Sequence, residues 1–216
     1  MWTEFFPDGL MPAFSSRLQV LLERLSVLET HFLPAVLPPP HVPPSDEEED
    51  RVKAYLLLAH AEIEDYVETR AKGIILKALD DWKTSTRTSP PLLGLAALSP
   101  ALKPLEKRAP LSPGPDSLTA HLNGAFAIYL DSIDRNHGVT EKNLLRMILP
   151  LGISEYSLDI VWLGDMTSFA ALRGEIAHKS RSTTKQEVHP ATEHARIQGL
   201  LGELLKLDLM MTSIAE

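Results

Sequence analysis

DEEEDRVKAYLLLAHAEIEDYVETRAKGIILKALDDW, Asp46 to Trp82, is the stretch on which the fold turns. Val52, Leu56, Ala59, Ile63, Val67, Ile74 and Leu79 recur at the spacing of one helical face. That pattern predicts a long helix burying one stripe, with polar and charged residues between. Ser45 or Asp46 is placed to cap it, and the acidic run Asp46 to Asp50 suits the positive end of the helix dipole. Gly73 is the point where a kink is expected.

LPPPHVPPS, Leu37 to Ser45, cannot be helical, because proline lacks the amide donor and clashes with the preceding turn. It reads as an extended spacer. Before it, Leu18, Leu21, Leu22, Leu25 and Leu28 mark a helix from about Ala13 to Phe32, stopped at Pro34. Trp2, Phe5 and Phe6 read most simply as an arm packed on its own domain.

Beyond Trp82, residues 84–115 are rich in Pro, Ser, Thr and Lys and read as a long irregular insertion, with room for a short helix around Leu92 to Leu98. Asp116 or Ser117 opens the next helix, through Leu122, Phe126, Tyr129 and Ile133 to a left-handed stop at Gly138. Thr140 caps a further helix ending near Pro150 and Gly152, and Ser154 to Trp162 forms a turn or short helix. Thr167 is the expected N-cap of a helix carrying Phe169, Leu172 and Ile176. Pro190 stands where a helix takes proline, in its first turn, and Ile197, Leu200, Leu201, Leu204, Leu205 and Leu207 line the last amphipathic helix. Runs of alternating β-branched residues are nearly absent, so the fold class is all-α. The expected organisation is an N-terminal helix and Pro-rich linker over 1–44, then one helical domain over 45–216 containing the insertion.

With 44% hydrophobic and 23% charged residues among 216, the chain can bury one sizeable core. Its apolar stretches are too short and interrupted to cross a bilayer, and its start resembles neither a secretory signal nor a transit peptide. It has no cysteine, which excludes disulfides, thiolate catalysis and cysteine-based metal sites. A cytoplasmic location is the expectation. The formal net charge of -8 argues against indiscriminate nucleic-acid binding, which draws its affinity from cations on phosphates. A nucleic-acid partner would therefore need a local basic patch. The clearest one runs from Arg173 to Lys185, where Arg173, His178, Lys179, Arg181 and Lys185 face the single acid Glu175.

That patch contains LRGEIAHKS, Leu172 to Ser180. Arg173 and His178 lie five positions apart, about 140° around a regular helix beyond one full turn. They converge if the helix frays at its end, if the Arg side chain wraps across, or if two copies of the chain complete one another. A His can take or give a proton near neutral pH, and an Arg can hold an anionic phosphorane with paired donors, so together they suit cleavage of an RNA phosphodiester without a metal. Residue types alone favour a plainer account, a cationic cap on the helix dipole. A carboxylate-bridged metal site built on Glu175 with His178 and on His60 with Glu64 lacks ligands, and the plainer account of His60 and Glu64 is a helix pair on a partly polar face. No Gly-rich phosphate loop, HExxH, GxSxG or EF-hand pattern occurs.

Several segments together resemble the HEPN domain superfamily, in its RiboL-PSP-HEPN branch. LRGEIAHKS resembles the Arg-x4-6-His signature. YLLLAHAEIEDYVE, Tyr55 to Glu68, resembles the first core helix of that branch, with Glu64 at its recurrent acid. GVTEKNLLRMILPLGI, Gly138 to Ile153, resembles the segment before the motif helix, and KLDLMM, Lys206 to Met211, the closing helix. The resemblance spans roughly Arg51 to Met211. It implies a helical bundle that acts as a homodimer, two Arg and His pairs lining one cleft that cuts RNA to a cyclic phosphate and a 5'-hydroxyl, with no metal or other cofactor. Arg173 and His178 inherit the catalytic roles, Glu64 that of orienting Arg173, and Lys179, Arg181 and Lys185 form an RNA-facing rim. It further implies a toxin or defence effector, with an antitoxin or regulatory protein as partner and no membrane. Many members carry a polar residue directly after the Arg, where this chain has Gly174. Others are non-catalytic RNA-binding or protein-interaction modules, and that alternative stays open.

Overall fold

Ser45 and Glu48 close a reciprocal cap. The Ser45 backbone N–H and hydroxyl donate to Glu48 Oε2 at 2.8 and 2.7 Å, and the Glu48 N–H returns a bond to Ser45 Oγ at 3.3 Å. From that cap a 40-residue helix, α2 (Asp46–Ser85), runs on and stays α-helical through Gly73. Every residue of the predicted stripe is buried. The computed structural model describes residues 14–98, 115–178 and 188–215. The arm at Trp2, Phe5 and Phe6 lies outside the described residues, as do residues 99–114 of the insertion and Lys179, Arg181 and Lys185.

Among the described residues the structure is all-α: α1 (Ser16–Phe32), α2, α3 (Pro90–Leu98), α4 (Pro115–Asp134), α5 (Glu141–Ile148), α6 (Ile160–His178) and α7 (Pro190–Ala215). Two 3-10 turns, Leu149–Leu151 and Glu155–Ser157, follow α5. The chain divides into two compact units. No helix among the described residues is long and apolar enough to cross a membrane.

The first unit holds α1, α2 as far as Tyr66, the loop Gly138–Glu141, α6, and α7 as far as Leu209. Ser15 caps α1 by accepting the Leu18 N–H, and Leu18, Leu21, Leu25 and Leu28 form its buried face. Val52, Leu56 and Ile63 of α2, Phe169 and Leu172 of α6, and Ile197, Leu201 and Leu204 of α7 are buried in the same unit. Asp208, fully buried on α7, accepts from the Ser15 N–H at 2.8 Å and the Ser15 hydroxyl at 2.6 Å. An acid tolerates such burial only when donors surround it. Trp162 Nε1 of α6 donates to the Leu200 carbonyl at 3.1 Å, and Arg24 pairs with Glu62 at 2.9 Å across the outer faces of α1 and α2.

The second unit holds the rest of α2, then α3 to α5, both 3-10 turns and the end of α7. Part of the segment expected to be irregular forms α3, because Leu92 and Leu95 bury themselves, Leu92 in a cluster with Trp82 and Leu122. The backbones of α3 and the turn after α5 meet closely. A Cβ at Gly94 would lie 2.8 Å from the Pro150 carbonyl oxygen, and one at Gly152, whose φ is +87°, would lie 2.9 Å from the Pro90 carbonyl oxygen. The Tyr129 hydroxyl donates to the Met147 carbonyl at 2.6 Å, and burial pushes that phenol's pKa up.

One expected boundary is wrong. α6 begins at Ile160, and its cap is Asp159, whose Oδ1 accepts the Val161 N–H at 2.7 Å and the Trp162 N–H at 3.1 Å. Thr167 sits inside the helix. Its hydroxyl donates to the Leu163 carbonyl at 3.0 Å and accepts the Glu141 N–H at 2.9 Å, so it joins two segments instead of starting one.

Candidate active site

α6 carries Arg173 and His178 on one continuous helix. Leu163, Met166, Phe169 and Leu172 anchor its inner face, Arg173 is half-buried, and His178 is exposed as the last helical residue. The helix is α-helical through His178, so within one chain the two side chains leave it about 140° apart. His178 stands at the C-terminal end of α6.

Glu64 of α2 lies in the same unit as both residues. Its Oε1 accepts the backbone N–H of Gly138, and its Oε2 lies 3.6 Å from His60 Nδ1, one helical turn earlier. Gly138 adopts a φ of +92°, a left-handed backbone that glycine takes without strain and that turns its N–H to the carboxylate.

His60 corrects the partly polar face expected for it. It is 1% exposed, and neither ring nitrogen has a hydrogen-bond partner. Its ring centroid lies 5.3 Å from that of Phe169 at 42°, and its Cε1 and Nε2 edge lies against Gly138. Burial pushes its pKa below the ordinary value, the negative charge of Glu64 opposes the fall, and the positive charge of Arg173 adds to it. Glu64 and Arg173 therefore both act on this one buried ring. A signal was present in the sequence: His60 falls between Leu56 and Ile63 at helical steps, within the apolar stripe itself.

The structure thus gathers Glu64, His60 and Arg173 in one neighbourhood and leaves His178 at the exposed end of α6. Among the described residues no group of three or more His, Asp or Glu side chains is placed to hold a metal ion.

A model of the RiboL-PSP-HEPN family matches residues 20–194. The chain belongs to that family. The RiboL-PSP-HEPN match begins inside α1, well before Arg51, and takes in the insertion. It ends at His194 near the start of α7, short of the Lys206 to Met211 segment. Membership points to an RNA-related function. No curated protein and no solved structure matches the chain.

Proposed function

We propose that this chain is a metal-independent endoribonuclease that works as a homodimer, as a toxin or defence effector held in check by an antitoxin or regulatory protein. The observation that carries the reading is the placement of Arg173 and His178 on α6 of a RiboL-PSP-HEPN protein, the first half-buried beside Glu64 and His60, the second exposed at the helix end.

In the proposed reaction the 2'-hydroxyl oxygen attacks the adjacent phosphorus and the bond from phosphorus to the 5'-oxygen breaks. The products are a 2',3'-cyclic phosphate and a 5'-hydroxyl. His178 of one copy takes the 2'-hydroxyl proton, His178 of the other protonates the departing 5'-oxygen, and Arg173 holds the phosphorane's negative oxygens. Val161, Gly164, Ser168, Ala171, Glu175 and His178 recur on α6 at alternating three- and four-residue steps and so share one seam of the helix, on which the second copy is proposed to lie. Val161 is 68% exposed, and no atom lies within 4 Å of where a Gly164 Cβ would stand, so the upper part of that seam is open. Lys179, Arg181 and Lys185 extend the basic run as the RNA rim.

The test compares wild type with Arg173→Ala and His178→Ala in RNA cleavage with EDTA present. Cleavage that persists in EDTA and is lost in both variants supports the reading, and growth arrest on expression, relieved by His178→Ala, supports the toxin role. Activity abolished by the chelator overturns it.

Gly174 favours a second reading, a non-catalytic RNA-binding or protein-interaction module. No atom lies within 4 Å of a Cβ built there, so the place of the polar side chain that many members carry after the Arg is open. Tight RNA binding without cleavage selects this reading.

A further inference from the structure

Glu64 Oε1 accepts the Gly138 N–H, and Oε2 faces His60 Nδ1 at 3.6 Å, just beyond hydrogen-bonding distance. A hydrogen on Nδ1 would point a donor at Oε2 across a gap that a small side-chain movement closes to bonding distance. The ring has little freedom to do anything else. Phe169 lies against it and Gly138 lines its Cε1 and Nε2 edge, so Nδ1 is the nitrogen that faces a charged group.

We propose that His60 is a positioning residue for the cleavage site: with its hydrogen on Nδ1 it donates to Glu64 Oε2 and fixes the carboxylate to which the ribonuclease reading gives the orienting of Arg173. The proposal rests on the ribonuclease reading for its consequence, though not for its geometry. A free carboxylate one turn from a buried ring would sample several orientations. One held by the Gly138 N–H at Oε1 and by the ring at Oε2 would keep a single orientation, and restricting a positioning group in this way raises the fraction of encounters that react. The neutral ring matters too, because a second cation beside Arg173 would compete for the same carboxylate.

The test has two arms. In the first, the His60 ring of the full chain is followed by nitrogen-detected NMR at pH 7.5 in wild type and Glu64→Gln. The expected result is a neutral ring protonated on Nδ1 whose nitrogen shifts move in Glu64→Gln. A ring protonated on Nε2, or shifts indifferent to Glu64→Gln, overturns the proposal. In the second arm, cleavage kinetics compare His60→Phe, which keeps a ring of similar size without a donor, with His60→Asn, which returns a donor near the place of Nδ1. His60→Phe is expected to lower kcat between about tenfold and a hundredfold with KM within about twofold, and His60→Asn to recover most of the loss. Wild-type kcat in His60→Phe, or equal loss in both variants, overturns the positioning role. Should the wild type cleave no RNA, the ribonuclease reading fails by itself and the first arm still decides the tautomer and its link to Glu64.

Discussion

The Tyr66 hydroxyl donates to Asp208 Oδ1 at 2.9 Å, in the same buried pocket where Ser15 places its N–H and hydroxyl on that carboxylate. One acid on α7 thereby gathers the middle of α2 and the first turn of α1, and Ser15 serves Asp208 and the α1 cap with the same oxygen. Asp208→Ala leaves three donors, the Ser15 N–H and hydroxyl and the buried Tyr66 hydroxyl, without this partner. The expected loss is about 3–5 kcal/mol of stability, read by urea denaturation. Tyr66→Phe removes one bond and is expected to cost about 1.5 kcal/mol, with a double-mutant cycle showing strong coupling between the two positions.

Glycine replacements are expected to act in opposite senses at two helical sites. Gly174→Ala places a methyl in open space within α6 and should stabilise by about 0.5–1 kcal/mol through the lower backbone entropy of the unfolded chain. Gly94→Ala drives a methyl against the Pro150 carbonyl and the Gly152 amide, both backbone atoms that cannot rotate away. A loss of about 2–3 kcal/mol is expected. Thermal melts of the two variants beside wild type distinguish the cases.

The pH dependence of stability should carry a mark of His60. Its folded-state pKa is lowered by burial, so on acidification the unfolded chain takes up a proton on this residue before the folded chain does. The neutral ring's contribution is complete above the ordinary value of 6.5 and is lost as pH falls from there toward the lower folded value. His60→Phe abolishes that loss. Its stability relative to wild type should be flat between about pH 7 and 8 and improve by up to about 1.4 kcal/mol per pH unit below 6.5, measured by denaturation across that range.

Removing the α6 cap provides a further measurement. Asp159→Ala deprives the Val161 and Trp162 N–H groups of their acceptor and is expected to cost about 1 kcal/mol. Thr167→Ala, at the position that sequence signals mark as the cap, should leave the start of α6 intact by helical chemical shifts at Ile160 to Leu163.

Much of the fold was legible because helical periodicity is a local signal. The stripe from Val52 to Leu79 and the face from Ile197 to Leu207 are read from spacing alone, and both are buried. The start of α6 was not legible from Thr167, whose hydroxyl fits a cap as well as it fits bonds to Leu163 and the distant Glu141; Asp159 caps the helix instead. α3 was only half legible, since Pro, Ser and Thr around it mask a short apolar face whose partner, Trp82, lies across a turn. At the candidate site, Arg173 and His178 stand out by residue type. His60 and Asp208 do not, because a polar residue inside an apolar stripe gains meaning only from what surrounds it, and Gly138, Phe169, Ser15 and Tyr66 come from remote parts of the chain.

Thr167 also offers a native reporter. Its hydroxyl holds the Glu141 amide, the first residue of α5, from the middle of the helix that carries Arg173 and His178. Hydrogen exchange at that one amide should therefore slow when α6 is seated and quicken whenever it lifts, even while both helices keep their own internal bonds. Arrival of RNA, of a second copy or of a regulatory protein on α6 could then be timed in the unlabelled protein by watching one proton in another helix.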